Sequence, residues 1–146
     1  MPDQRITYFA YGSNMSPIQM TEERCPGSEP IGIGKLRGYR LVINRNGVAT
    51  IVPEENGEVI GILWSITDQH ERTLDGKEGV ATGYYTRHWV IIEKQSGGEV
   101  KALVYIAAES EPGHPREGYL EKILYGAEHF GLPEEYIREL KSWKAT

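Results

Sequence analysis

The sequence has few of the residues that build disulfide frameworks, metal centres or membrane spans. Its 146 residues include one cysteine, Cys25, which excludes an intrachain disulfide and fits a reducing compartment. The four histidines are far apart and show no paired spacing, so we expect no metal site. No run of about 18 apolar residues is present, and no basic segment followed by an apolar one begins the chain. We therefore expect no membrane partner and a cytoplasmic location.

Positive charge is also scarce. The chain has 16 Lys and Arg residues against 21 Asp and Glu residues, a net charge of -5, and its basic residues form no stripe. Because nucleic-acid binding depends on a basic surface, this balance argues against a nucleic-acid partner. The length and the 39% of hydrophobic residues suffice for a substantial core, and we expect a single globular domain over 1–146.

Strand patterns dominate the first two thirds of the chain, and helical patterns the end. Strands are predicted over 5–10, 39–45, 48–52, 58–66, 83–94 and 99–107, with hairpins at 53–57 and 96–98. The last of these strands is apolar on both faces, which is typical of a strand in a barrel or beneath helices. A helix is predicted after Ser16, with Gln19 completing a capping box, and a short helix over 67–74. Two further helices follow Gly113, so the order of elements predicts an α+β fold.

The segment YFAYGSNM, residues 8–15, begins as a strand and then breaks into a tight turn at Gly12-Ser13-Asn14. The turn is not a Walker loop, because no Gly-Lys-Ser/Thr follows it. It is not a nucleophile elbow either, since Ser13 lacks the Gly-x-Ser-x-Gly frame. Two interpretations stay open: an ordinary turn, or a nest of backbone amides that binds a carboxylate or an oxyanion.

The segment LDGKEGVATGYYTR, residues 74–87, carries two acids three positions apart, Asp75 and Glu78. Spacing alone favours two solvated acids in a loop. The neighbouring Tyr84 and Tyr85, however, would partly desolvate a carboxylate and raise its pKa toward the range useful for proton transfer. Such a carboxylate can take a proton from a substrate amine and return it to a leaving group.

These segments together resemble the γ-glutamylcyclotransferase family, which includes the AIG2-like proteins. The resemblance runs in order through YFAYGSNM, GVATIVP, EVIGILWSI, LDGKEGVATGYY and GYLEKILYGAEHFGLPEEYIRELKSW, which span nearly the whole chain. It implies a small mixed β-barrel flanked by helices, with a cavity at one barrel end. It also implies an enzyme without metal or cofactor that converts a small γ-glutamyl compound into 5-oxoproline and a free amino compound.

The resemblance also assigns residues. Glu78 matches the family's general acid/base glutamate, and Asp75 is expected to shape the loop. The expected substrate-binding residues are those of the first turn and three tyrosines: Tyr11, Gly12, Ser13, Asn14, Met15, Tyr85, Tyr105 and Tyr119.

The leaving group and the assembly stay open at this point. Asn14 stands where the relatives specific for glutathione have Leu, which argues against that branch. One alternative is a γ-glutamylamine cyclotransferase that acts on a biosynthetic or side-chain amine, and another is a non-catalytic binding module on the same fold. Members of the family occur as monomers and as dimers, so a homodimer is consistent with the resemblance.

Overall fold

The computed structural model of the protein describes residues 5–145, in which five strands close into a barrel. The strands are β1 (Arg5–Ala10), β2 (Glu29–Ile43), β3 (Ala49–Thr67), β4 (Tyr85–Lys94) and β5 (Glu99–Ala107). Their order around the barrel is β1-β3-β2-β4-β5. Neighbouring strands are antiparallel, except that β1 and β5 run parallel where they close the barrel. The predicted small mixed barrel of an α+β fold is confirmed.

In the described part of the chain, three α-helices flank the barrel: α1 (Asp68–Lys77), α2 (Tyr119–His129) and α3 (Glu134–Lys141). Between β1 and β2 the chain forms a 3-10 turn, Ser13–Met15, and a π-helical segment, Gln19–Arg24. Fully buried side chains from the barrel and the helices form one apolar core, which includes Phe9, Trp64 and Ile123. Burial of this kind supplies most of the stability of a domain of this size. Within residues 5–145, no helix is both long and apolar enough to cross a membrane.

The predicted hairpin at 53–57 is wrong, because residues on both sides of it belong to the single strand β3. Pro53 pairs with Tyr39 of β2, and Glu58 pairs with Arg37 of the same strand. The residues between them form a bulge, in which Asn56 has a φ of 65°. Both flanks find their hydrogen-bonding partner in β2, so these turn-forming residues bend one strand instead of reversing the chain.

The predicted helix after Ser16 is present, but its capping box is not. The hydroxyl of Ser16 accepts a hydrogen bond from the backbone amide of Gln19 at 3.4 Å, as an N-cap does. The side chain of Gln19 does not return to the Ser16 amide. It donates instead to Ser13 Oγ at 2.8 Å and to Asn14 Oδ1 at 2.7 Å. The helix therefore begins by bracing the turn that precedes it.

Helix α1 is longer than predicted and carries Asp75 inside it. Its start has a reciprocal capping box between Thr67 and His70, and its last residue is Lys77 instead of Leu74. The two acids of the second segment are thus separated, since Asp75 lies in the helix and Glu78 is its C-cap. The longer helix fixes the position of the Glu78 backbone relative to the barrel.

Candidate active site

A cavity of about 380 Å³ lies at one end of the barrel, where β1, β2 and β5 end and where β3 and β4 begin. The YGSN turn, residues 11–14, forms one wall, and the C-terminal end of α1 and the first turn of α2 form others. The lining residues include Tyr8, Tyr11, Gly12, Ser13, Asn14, Gln19, Arg24, Ala49, Glu78, Tyr85, Tyr105 and Tyr119. Segments far apart in the sequence therefore meet in one site.

The cavity gathers all but one of the residues that the sequence predicts for the site. Met15 does not line the cavity, because its side chain is fully buried in the core. Its backbone lies against Gly126 of α2, where an added Cβ would be 2.5 Å from the Met15 carbonyl carbon. Met15 thus seats the YGSN turn on α2, and only a glycine allows this close approach.

The YGSN turn is compact, and at Gly12 it carries no side chain. The amide of Met15 donates to the carbonyl of Gly12, and the amide of Ser16 donates to that of Ser13, each at 3.0 Å. A Cβ on Gly12 would lie 3.2 Å from the Tyr119 hydroxyl oxygen and 3.3 Å from Ala49 Cβ, which leaves little room for a larger residue. The first amides of a helical turn have no acceptor within that turn, so they are available to a ligand.

Glu78 enters the cavity from the end of α1. Its backbone amide donates to the carbonyl of Leu74 at 2.8 Å, which holds it at the helix end. Its side chain is 16% exposed, and Oε1 lies 3.4 Å from Asn14 Nδ2 and 3.6 Å from Arg24 Nη1. Burial raises the pKa of the Glu78 carboxyl, and the nearby Arg24 guanidinium partly opposes that rise.

Three residues that the sequence analysis did not assign to the site surround Asn14. Gln19 and Arg24 donate to its Oδ1, and its Nδ2 donates to the hydroxyl of Tyr8 at 2.9 Å. No spacing rule finds such partners, because they lie on β1 and on a π-helical segment. The one sequence signal was the position of Gln19 and Arg24 in the helix that directly follows the YGSN turn.

Tyrosine hydroxyls complete the wall and fasten it to the barrel. The hydroxyl of Tyr85 donates to the carbonyl of Ala49 at 2.9 Å, and that of Tyr119 accepts from the Ala49 amide at 3.0 Å. The Tyr11 hydroxyl donates to the carbonyl of Tyr105. Burial raises the pKa of each of these tyrosine hydroxyls, so they stay protonated and neutral at physiological pH.

A cysteine nucleophile or a metal ion finds little support in the site. Burial raises the pKa of the Cys25 thiol to about 11, so the thiolate needed for nucleophilic attack is scarce at neutral pH. Among residues 5–145, no group of three or more His, Cys, Asp or Glu side chains is arranged to hold a metal ion. Glu78 is the acidic side chain among the residues that line the cavity, and hydroxyl and amide groups line it as well.

Known proteins share both the sequence and the fold. The model of the AIG2-like family matches residues 58–140, more than half of the chain. The γ-glutamylcyclotransferase of Homo sapiens is 31% identical over 97% of this chain and 80% of its own length, and that of Mus musculus is 30% identical over 95% and 79%. The chain belongs to the AIG2-like, γ-glutamylcyclotransferase family. A solved γ-glutamyl cyclotransferase superposes with a TM-score of 0.88 at 30% identity, over 95% of this chain and 88% of that one.

Membership of this family makes the protein a γ-glutamylcyclotransferase-like enzyme. The charged residues that line its cavity are mostly basic, although the chain as a whole is acidic. The net charge of the chain is -5, yet the charged lining residues are Arg24, Lys77, Arg116, Lys122 and a single acid, Glu78. Arg116 is held by a hydrogen bond from Nε to the carbonyl of Asn46 at 2.6 Å. Within residues 5–145, Lys77, Arg116 and Lys122 form no ion pair with a carboxylate. This wall favours an anionic ligand.

Proposed function

We propose that this protein catalyses the intramolecular aminolysis of a γ-glutamyl amino acid or peptide. The α-amine of the substrate attacks its own γ-carbonyl carbon, a C–N bond closes the five-membered ring, and the original amide C–N bond breaks. The attacking ammonium nitrogen loses two protons as it becomes the lactam N–H: one passes to the leaving nitrogen as the amide bond breaks, and the other protonates the released amine, so the products are 5-oxoproline and a free amino compound. The observation that carries the proposal is a largely but not fully buried carboxylate, Glu78, in the same cavity as the YGSN turn.

Glu78 is the general acid/base of the proposed reaction. It takes the proton from the substrate ammonium group and then donates it to the departing nitrogen. Its raised pKa suits this exchange, since a group that both accepts and donates works best when its pKa is near the working pH. Because the attacking amine and the carbonyl belong to one molecule, the enzyme has mainly to fold the substrate into the attacking geometry.

The YGSN turn holds the γ-glutamyl end of the substrate. Its free amides, near Gly12 and Ser13, bind either the α-carboxylate or the oxyanion that develops on the γ-carbonyl. The Tyr85 and Tyr119 hydroxyls are anchored on Ala49 and orient the rest of the substrate. The hydroxyl of Ser13 is not a nucleophile in this reaction, and it already accepts a hydrogen bond from Gln19.

The charge of the cavity wall favours a leaving group that carries a carboxylate. Lys77, Arg116 and Lys122 lie on the wall without a carboxylate partner among residues 5–145, so they would attract the carboxylate of a leaving amino acid. A leaving group with a free ammonium would be repelled by the same residues. We therefore propose γ-glutamyl amino acids as the preferred substrates over γ-glutamylamines.

The test is an incubation of the protein with matched γ-glutamyl amino acids, peptides and amines, in which the release of 5-oxoproline is measured. We expect release from the amino-acid members, and a loss of about 10²- to 10⁴-fold in Glu78→Gln, as is typical of a general acid/base. Glu23→Gln, which neutralises an exposed acid outside the cavity lining, is the control and keeps the wild-type rate. Full activity of Glu78→Gln would refute the role of Glu78. No release from any member of the panel would favour the binding module.

A further inference from the structure

One nitrogen atom of Arg24 contacts both the YGSN turn and Glu78. Its Nη1 donates to Asn14 Oδ1 at 3.0 Å and lies 3.6 Å from Glu78 Oε1. The Arg24 side chain is 24% exposed, so solvent screens its charge less than that of a surface arginine. A single guanidinium group thus connects the YGSN turn to the carboxylate at the end of α1.

The side-chain amide of Asn14 has only one orientation that satisfies its neighbours. Two N–H donors, from Gln19 at 2.7 Å and from Arg24 at 3.0 Å, point at the Oδ1 atom. A flipped amide would bring its own NH2 group against both donors. The orientation that remains aims Nδ2 at the Tyr8 hydroxyl and at Glu78. Arg24 therefore helps to decide which atom of Asn14 faces the carboxylate.

The fold fixes the separation of Arg24 and Glu78 through His70. The Nε2 atom of His70 is 2.7 Å from the carbonyl of Pro26, two residues after Arg24. Its Nδ1 atom accepts a hydrogen bond from the backbone amide of Thr67 at 3.1 Å. The ring proton is therefore on Nε2, which donates to the Pro26 carbonyl. His70 belongs to α1, the helix that ends at Glu78. The segment that carries Arg24 is thereby fastened to the helix that positions the acid.

Arg24 also counters the unfavourable surroundings of the Glu78 carboxylate. Four tyrosines face this carboxylate, and each is neutral at physiological pH: Tyr8 from β1, Tyr11 from the YGSN turn, Tyr85 from β4 and Tyr119 from α2. Lys77 precedes Glu78 in the chain and is exposed to solvent. Burial raises the pKa of Glu78, and the Arg24 guanidinium acts against this effect.

We propose that Arg24 is a positioning residue for the acid/base step: it orients Asn14 and holds the Glu78 carboxylate ready to accept the substrate proton. The inference rests on the proposed function, because it takes Glu78 as the group that moves the proton. Arg24 itself does not exchange a proton with the substrate. Its contribution is therefore greatest at the acidic end of the working range, where an unaided buried carboxyl group would already be protonated.

The experiment measures kcat/KM against pH for the wild type, Arg24→Gln and Arg24→Lys, with a γ-glutamyl amino acid as the substrate. In Arg24→Gln we expect the acidic limb of the profile to move to higher pH. The loss should be about 10-fold or more on that limb and smaller on the alkaline side. Arg24→Lys keeps the charge and should restore the position of the limb. Arg72→Gln, an exposed arginine of α1, is the control and should leave the profile unchanged. Arg24→Met is the second uncharged variant, for use if Arg24→Gln does not fold.

A second readout needs no turnover. In protein labelled with carboxyl-13C glutamate, the Glu78 signal is identified by its absence in Glu78→Gln, and its titration is followed by NMR. The proposal requires the Glu78 titration to move to higher pH in Arg24→Gln. An unmoved titration, or a rate loss that is equal at every pH, would overturn it. If Glu78→Gln kept full activity, the proposed acid/base role would fail, but the NMR titration would still decide whether Arg24 acts on Glu78.

Discussion

The hydroxyl of Tyr105 donates a hydrogen bond to Oδ1 of Asp75 at 2.7 Å, and this contact joins the barrel wall to α1. The other carboxylate oxygen of Asp75 accepts from Arg87 Nη1 at 2.9 Å, and Arg87 also pairs with Glu71 one turn earlier in the helix. Asp75 therefore ties α1 to β4 and β5. The helix that presents Glu78 to the cavity is held by this network, three residues before the acid.

Removal of the Tyr105 hydroxyl should loosen this helix. Because hydrogen bonds to charged groups contribute about 1.5–3 kcal/mol, we expect Tyr105→Phe to lower the free energy of unfolding by about 1–3 kcal/mol, measured by urea denaturation. The rate of 5-oxoproline release should fall as well, since a small displacement of Glu78 disturbs proton transfer. Tyr125→Phe removes the hydroxyl of an exposed tyrosine and is the control. Equal losses in the two variants would contradict this role of Tyr105.

The raised pKa of Glu78 predicts opposite effects of pH on activity and on stability. Activity should fall as pH decreases through the raised pKa, because the base form is lost. Stability should fall as pH increases from about 4.3, the usual glutamate pKa, through the raised value, because the unfolded chain ionises first. Above this pH window Glu78 is ionised in the folded protein as well, and it destabilises the fold because its carboxylate is desolvated. Glu78→Gln should therefore be far less active than the wild type, yet more stable at neutral pH. If the stability difference between Glu78→Gln and the wild type were the same at pH 4 and pH 8, the ionisation of Glu78 would not be its cause.

The basic wall of the cavity predicts a selective loss of substrate affinity. We expect Lys122→Met to raise KM for γ-glutamyl amino acids by about 2- to 5-fold, the range expected of an exposed ion pair. The KM for a γ-glutamylamine should not rise. Added salt should reduce the difference between variant and wild type, because it screens exposed charges. Lys144→Met, which lies outside the cavity lining, is the matched control. A parallel rise in KM for amines and amino acids would argue against recognition of a carboxylate.

Two glycines in helices offer a matched pair of substitutions to alanine. A Cβ on Gly126 would lie 2.7 Å from Met15 Cβ and from the Ser16 amide nitrogen, so Gly126→Ala must push α2 away from the YGSN turn. We expect a loss of about 1–3 kcal/mol and a raised KM. A Cβ added to Gly76 of α1 would meet no neighbouring atom within 4 Å, so Gly76→Ala should stabilise the protein. That gain should be about 0.5–1 kcal/mol, the helix preference of alanine over glycine. Both free energies can be measured by urea denaturation.

The turn and the acid could be predicted because each lies within a short contiguous segment. Gly12-Ser13-Asn14 has turn-forming residues, and Glu78 stands beside tyrosines in a segment rich in glycine. The prediction that they share one cavity came from the family resemblance, since no local pattern joins residues so far apart. Arg24 was missed for the same reason. Its contact with Glu78 depends on the course of a π-helical segment, which local residue preferences do not specify.

The bulge in β3 illustrates a different limit of local patterns. Asn56-Gly57 is a strong hairpin signal, because both residues tolerate a positive φ. Whether the chain reverses there depends on the partner of each flank, and β2 is long enough to pair with both. Tertiary pairing therefore overrides the local turn preference. The resemblance assigned Met15 to the site together with the YGSN turn, yet its side chain is fully buried in the core.

The barrel closes by pairing its first strand with its last, which has a consequence for how the protein reaches its active form. The Tyr11 hydroxyl bonds to the carbonyl of Tyr105 across 94 residues of sequence. Contacts of such long range carry a large loop-closure entropy and slow the folding of barrels. Helices such as α2 acquire their local hydrogen bonds much sooner. In a refolding experiment, the return of 5-oxoproline formation should therefore lag behind the helical circular dichroism signal and mark the moment at which the barrel closes.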